Sequence, residues 1–278
     1  EGNSGKMILE SSVSFDIERE LTQEEYQDVL AYCEYDVDQV IDIYKLREKN
    51  YFKPKESLVQ MLGNDNAARW NTTTISANLL LKKPLPKWSD IRVPEELLEL
   101  VPDEVAEMWK TKEKGNITIN EFDNEIVFGF GGLHGSNVKK KRFKNVINLD
   151  VASLYPSIIV NYNMLGTATE RYKEILEERI RIKHTEPDRQ AGLKLVLNSV
   201  YGLLKSQYSL LFNPKASTTV CAIGQSLLYD LTQRLAPTCE IVQINTDGVA
   251  FIPHTDDYKD VWKEWERDYN LVLEQDLF

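Results

Sequence analysis

Two acids sit where an apolar strand gives way to a turn. Asp150 closes the run Val146, Ile147, Leu149, and Asp247 lies in Asn245-Thr246-Asp247-Gly248, between Ile241-Val242 and Val249-Ala250-Phe251-Ile252. Carboxylates brought together from two strands are what a pair of divalent ions about 3.5 to 4 Å apart requires to clamp the attacking and leaving oxygens of an in-line displacement. Lys194, Asn198 and Tyr201 are spaced to share one face of a helix, which turns once in about 3.6 residues, and Tyr201 precedes Gly202. A lysine there can neutralise phosphate charge, an amide adds a neutral hydrogen bond, and an aromatic beside glycine admits a flat ring. Arg179 and Lys183 also share a face, one turn apart and about 6 Å along the axis. Taken singly, each feature has a plain structural counterpart: a solvated cap, a hairpin turn, an amphipathic helix, a pair of surface cations.

Regular elements must position these groups. Ile126-Val127-Phe128, running into Gly129, Gly131 and Gly132, and Val146 to Leu149, running into Asp150, read as strands of one sheet, and the segment around Asp247 reads as a β-hairpin with a four-residue turn. Glu170–Lys183 and Asp188–Lys205 are two stretches of helix formers joined by a short polar link holding Pro187, which predicts an antiparallel helical hairpin. Further upstream, Thr22 and Glu25 have the form of a capping box, and Leu30, Cys33, Val37, Val40, Ile41 and Tyr44 recur at helical spacing, which predicts an amphipathic helix from about Gln23 to Lys49 with a buried stripe. The segment from Lys53 to Pro102, with Pro54, Pro84, Pro86, Pro94 and Pro102, reads as short elements and connections containing a domain boundary.

With 278 residues, 42% of them hydrophobic, the chain can bury a sizeable core as one large domain or two smaller ones. No apolar run approaches the roughly 18 residues a membrane span needs, and EGNSGKMILE lacks a secretory signal pattern. Cys33, Cys221 and Cys239 are far apart, without a CxxC pair, and suggest neither a disulfide framework nor a zinc site. The net charge of −11 weighs against nucleic acid as a partner, because phosphate binding is driven by Lys and Arg. Distribution matters more: Lys139, Lys140, Lys141, Arg142 and Lys144 cluster, as do Arg179, Arg181 and Lys183. The chain starts at Glu1 and stops at Phe278 without a capping or turn signal, which is read as a piece of a longer protein.

The string from Asp150 to Ile159, DVASLYPSII, resembles motif A of the family B DNA polymerases, DxxSLYPSII, at every fixed position, and Lys194 to Gly202 matches their KxxxNSxYG. Arg179 and Lys183 align with the Arg-x-x-x-Lys pair of the fingers, and Asn245-Thr246-Asp247-Gly248 occupies the place of motif C, usually DTDS, with Asn245 for the first acid and Gly248 for the serine. Phe130-Gly131-Gly132 resembles the YxGG loop that touches the template strand, with Gly129 where tyrosine should be; an ordinary glycine-rich turn is the equal alternative. Tyr32 and Asp36 resemble the Yx3D motif of the 3′–5′ exonuclease, whose earlier motifs are absent, and Asp16 and Glu18 read as solvated loop acids.

The resemblance implies an α+β right-hand polymerase: an antiparallel palm sheet with helices and a two-helix fingers, lacking its thumb and preceded by the C-terminal part of an exonuclease domain. The expected divisions are 1–62 for the exonuclease end, 63–145 for linker and first palm part, 146–168 and 206–278 for palm, and 169–205 for fingers. It implies template-directed addition of deoxynucleotides to a primer 3′-hydroxyl, with two Mg²⁺ ions, or Mn²⁺, held by Asp150, the Val151 carbonyl and Asp247. Arg179, Lys183, Lys194 and Asn198 take the triphosphate, and Tyr155 floors the sugar pocket and leaves no room for a 2′-hydroxyl. Gly131, Gly132, Tyr201 and Gly202 meet DNA. The implied partners are primer-template DNA and deoxynucleoside triphosphates, with no membrane and no oligomer. Short intervals between the motifs favour a nucleic-acid primer and a bacteriophage or mobile-element enzyme working in the cytoplasm of a bacterial host cell. Asn245 leaves a rival reading, an inactive polymerase-derived DNA-binding fragment, and the isolated piece is expected to be weak or inactive.

Overall fold

The computed structural model describes residues 10–85, 91–111 and 115–278. Most of the stretch tested for a signal pattern, residues 1–9, and Pro86 lie outside them. In chain order the helices are α1 (Gln23–Arg47), α2 (Lys53–Leu62), α3 (Thr72–Leu80), α4 (Glu95–Leu98) and α5 (Asp103–Thr111), followed by strands β1 (Ile117–Glu121), β2 (Asn124–Phe128), β3 (His134–Asn137) and β4 (Ile147–Val151). Next come α6 (Leu154–Asn161), α7 (Thr169–Ile182), α8 (Pro187–Lys205), α9 (Pro214–Leu235), β5 (Cys239–Asn245), β6 (Gly248–Pro253), α10 (Tyr258–Tyr269) and β7 (Leu273–Leu277).

The seven strands form one antiparallel sheet in the order β1-β2-β3-β5-β6-β4-β7. Alternation of buried and half-exposed residues along Ile147-Asn148-Leu149-Asp150-Val151 puts Ile147, Leu149 and Val151 in the interior and leaves Asp150 on the other face. Against the sheet lies α9, buried along almost its whole length. It has neighbours on all sides, and it buries Ser217, Thr219, Gln225, Ser226, Asp230 and Thr232 together with its apolar residues. Its Tyr229 ring meets Phe128 edge-on at 5.2 Å, and the buried Trp265 of α10 donates its indole N–H to the Leu227 carbonyl.

The predicted helical hairpin is present as α7 packed on α8, with Pro187 at the first turn of α8, where its missing N–H costs nothing. The buried Tyr172 of α7 ties the pair by donating to the Leu197 carbonyl. The proline-rich segment carries α2, a 3₁₀ turn at Asp65–Arg69, α3 and α4, with α2 and α3 both packed on α8.

Two expectations need correction. The hairpin turn has two residues, Thr246 and Asp247, because Asn245 still pairs with Gly248. The capping box of α1 is present, with Glu25 N–H donating to Thr22 Oγ1 and Thr22 N–H to the Glu25 carboxylate, but the predicted buried stripe is not: no residue of α1 is buried. Leu30, Val37, Val40, Ile41 and Tyr44 are all more than 40% exposed, although the Tyr44 ring packs on Phe52 at 4.7 Å.

Candidate active site

A cleft of about 640 Å³ opens where β4, the β5–β6 turn, α6, α7 and α8 converge. It collects Asp150, Val151, Tyr155, Arg179, Lys183, Lys194, Asn198 and Asp247, residues spread over almost a hundred positions of sequence.

Asp150 reaches the cleft from the end of β4, flanked by Gly248 of β6 and Glu274 of β7 as its register partners. The turn bearing Asp247 is held against it by the Val151 N–H, which donates to the Asp247 carbonyl at 2.7 Å. Gly248 permits this approach, since a Cβ there would stand 2.9 Å from the Leu149 carbonyl and 3.0 Å from Asp150 Oδ1. Burial, followed by repulsion from Asp247, Glu274 and Asp276, pushes the Asp150 carboxyl up to about 6. The floor of the cleft is therefore a place where negative charge is crowded and a cation would relieve it. Among the described residues, no three or more His, Cys, Asp or Glu side chains are gathered as a metal-binding group. Two carboxylates with main-chain oxygen suit an ion that keeps waters and takes substrate oxygens, which is the habit of Mg²⁺.

Past Asp150 the chain turns sharply. Ser153 takes a left-handed conformation (φ 56°, ψ 45°), a strained choice for a residue with a Cβ, and it launches α6. Its hydroxyl accepts from Arg179 Nη1 at 3.3 Å, which draws the α7 cation over the acids. Lys183, capping α7, lies 3.9 Å from Glu274, while Lys194 and Asn198 face the cleft from α8 and are exposed. Cations on the helical side thus face acids on the sheet side.

Tyr155, half-buried at the start of α6, packs its ring on Tyr201 of α8 at 4.9 Å between centroids. A Cβ on Gly224 would come 3.3 Å from its Cε1. Burial and the neighbouring Cys221 raise its hydroxyl pKa, so the ring is neutral at ordinary pH. Tyr201 does not line the cleft; its hydroxyl sits 2.6 Å from Cys221 Sγ, with Lys205 Nζ 4.4 Å over its ring, and Gly202 is exposed beside it.

Gly131 and Gly132 belong to the loop between β2 and β3, and Gly132 abuts Thr246 so closely that a Cβ would fall 2.1 Å from Thr246 Oγ1. Asn245 lies outside the cleft lining, and its amide oxygen accepts from Gln243 Nε2 at 3.1 Å. Tyr32 and Asp36 stand on α1, where Asp36 raises the Tyr32 hydroxyl pKa, and they take no part in the cleft. Among the cleft's side chains that the sequence reading gave no role are Glu274 and the hydroxyl of Ser153. Glu274 comes from β7, for which no motif exists, and only its register opposite Asp150 reveals it.

Residues 168–259 match the family model described as DNA polymerase family B. The DNA polymerase alpha catalytic subunit of Drosophila melanogaster is 28% identical over 171 residues, covering 48% of this chain and 11% of that protein. Its counterpart from Saccharomyces cerevisiae, also a DNA polymerase alpha catalytic subunit, is 26% identical over 171 residues, covering 48% and 12%. Over residues 168–259 the chain is similar to the family B DNA polymerases. The chain spans about a tenth of the length of these two relatives. A family B polymerase structure from Pyrobaculum calidifontis superposes with a TM-score of 0.47 at 14% identity, covering 92% of this chain and 35% of that one. The family match takes in Arg179, Lys183, Lys194, Asn198 and Asp247, whereas Asp150 and Tyr155 precede it.

Proposed function

We propose that the chain carries the nucleotidyl-transfer site of a DNA-directed DNA polymerase, acting on primer-template DNA and deoxynucleoside triphosphates. The observation that carries this reading is the cleft that gathers Asp150 from the end of a strand and Asp247 from the adjoining hairpin turn with the cations Arg179, Lys183 and Lys194 of the helical hairpin and the ring of Tyr155. In that reading the sheet with α6 and α9 is the palm and the α7–α8 hairpin the fingers, with the division at 169–205, and α1 is the end of an exonuclease domain.

Asp150, Asp247 and the Val151 carbonyl would hold Mg²⁺ or Mn²⁺, which supplies activation of the primer 3′-hydroxyl and neutralisation of charge at the phosphorus. Arg179, Lys183 and Lys194 bind the triphosphate and stabilise the charge that grows on departing pyrophosphate, while Asn198 adds a neutral bond. Tyr155, backed by Tyr201 and Gly224, cannot retreat from a 2′-hydroxyl, so its ring selects deoxyribose. Gly131, Gly132, Tyr201 and Gly202 line the path of the nucleic acid. The placement of Asn245 off the cleft supports activity despite the loss of that acid.

Primer extension by the full-length polypeptide, with Mg²⁺ and each of Asp150→Asn and Asp247→Asn, is the test. Extension lost in both variants is expected. A folded wild type that extends no primer with either metal would leave the inactive DNA-binding reading in its place.

A further inference from the structure

Gln225 lies midway along α9, behind the cleft, and is 1% exposed. A primary amide in an apolar interior is costly unless its polar atoms are bonded. The amide turns both of its polar atoms to one loop. Its Oε1 accepts from the Gly129 N–H at 3.1 Å, and its Nε2 donates to the carbonyls of Gly129 at 2.7 Å and Gly131 at 2.8 Å. The loop runs from the end of β2 at Phe128 to the start of β3 at His134, and the amide stands in for the strand neighbour these backbone groups lack.

The loop's other side is equally constrained. Gly132 is pressed on Thr246, the residue before Asp247. One turn earlier on α9, Cys221 Sγ lies 3.9 Å from the Phe130 carbonyl and 2.6 Å from the Tyr201 hydroxyl. A helix that contributes nothing to the cleft lining therefore reaches the turn carrying Asp247 through a few residues of main chain.

We propose that Gln225 is a positioning residue for nucleotidyl transfer: its amide sets the glycine-rich loop at the height where Gly131 and Gly132 meet the nucleic acid and brace Thr246 and Asp247. This rests on the polymerase reading of the cleft. It separates Gln225 from residues that only fill space, because an apolar side chain of the same volume would pack α9 equally well and leave the loop carbonyls unpaired. It also separates Gln225 from the triphosphate cations, which stand on α7 and α8.

The test uses Gln225→Met in the full-length polypeptide, assayed well below the melting temperature of each protein. Loss of the amide's bonds should speed hydrogen exchange of the amides in 129–133 and lower kcat, each by about 10-fold or more. The KM for primer-template should rise while the KM for nucleotide stays within about 2-fold, since α7 and α8 are untouched. Unchanged exchange in the loop, unchanged kcat, or a nucleotide KM that rises in step with that for primer-template overturns the inference. Should Gln225→Met not fold, Gly132→Ala displaces the loop from Thr246 without touching α9 and should give the same split; kinetics like those of the wild type overturn it. A wild type that extends no primer defeats the polymerase reading and this role with it, whereas an active wild type matched by an equally active variant defeats this role alone.

Discussion

The sheet with α6, α8 and α9 and the long helix α1 are both rich in apolar residues at regular spacing, yet they meet different fates. Ile158, Val196, Val200, Ile223 and Leu231 are buried to within 1% or less of full enclosure, whereas Val37 and Val40 of α1 are 60% and 67% exposed. Periodicity says which face of an element is apolar; it does not say whether anything within the chain covers that face. The difference divides the molecule into a region whose residues line a cleft and a region whose apolar stripe is left largely exposed among the described residues.

The largest consequence should appear in chemistry. Asp247→Asn in the full-length polypeptide is expected to cut primer extension by about 10³-fold or more, because a carboxylate that would hold metal becomes a neutral amide. Asp36→Asn on α1, outside the cleft, should leave extension as it was. A loss of extension in the α1 variant, or full activity in the Asp247 variant, would erase the functional division between the two regions.

In packing, Ile158→Ala should lower unfolding stability by about 2 to 5 kcal/mol, since it empties space at the base of α6 beneath Tyr155 and Gly224. Denaturant titration with an unchanged m-value measures it. Tyr155→Ala addresses the same neighbourhood in specificity. The ratio of kcat/KM for a ribonucleotide to that for its deoxy counterpart should rise by roughly 100-fold, because the wall under the sugar is removed. A ratio that does not move would leave Tyr155 a packing residue.

Much of this was legible in the sequence. The helical hairpin, the strand ending in Asp150 and the hairpin at Asp247 follow from periodicity and turn residues, and the residues of the cleft were nameable because local strings carried them. What was not legible depends on register and on distant segments. Glu274 joins the acids because β7 pairs with β4, and the left-handed turn at Ser153 and its bond from Arg179 of α7 exist only once those distant segments meet. Gly248, which departs from the family string, makes sense only with Asp150 Oδ1 beside it. The exposure of the α1 stripe was invisible for the opposite reason: a pattern of apolar residues looks the same whether or not a partner exists.

Asp150 links site and stability with a definite sign. Its carboxyl, raised from 3.8 to about 6, opposes folding when ionised; that penalty is absent below about pH 4, grows as pH rises and is complete above about pH 6. Asp150→Asn should therefore stabilise the protein at pH 7 by about 1 to 2 kcal/mol, a figure reduced for partial solvent access, and bring no gain at pH 4. Added Mg²⁺ should raise the melting temperature of the wild type more than that of the variant. A variant no more stable than the wild type at pH 7 would mean the acids of the cleft do not oppose one another.

The smallest effect is expected on α1, and it bears most directly on the contrast between the regions. Val40→Gln replaces a β-branched apolar residue, 67% exposed, by a straight-chain polar one. No buried contact is lost, and glutamine loses less rotamer freedom than valine in a helix, so stability should stay within about 0.5 kcal/mol of the wild type and lean toward a gain. The identical change at Val196, fully buried in α8, inserts an amide where no partner awaits it and should cost several-fold more than that bound. Both values come from one pair of urea titrations on the 278-residue chain. If Val40→Gln destabilises the chain as much as Val196→Gln, the stripe of α1 is covered in solution, and the distinction between a region that holds a site and a region left open cannot stand.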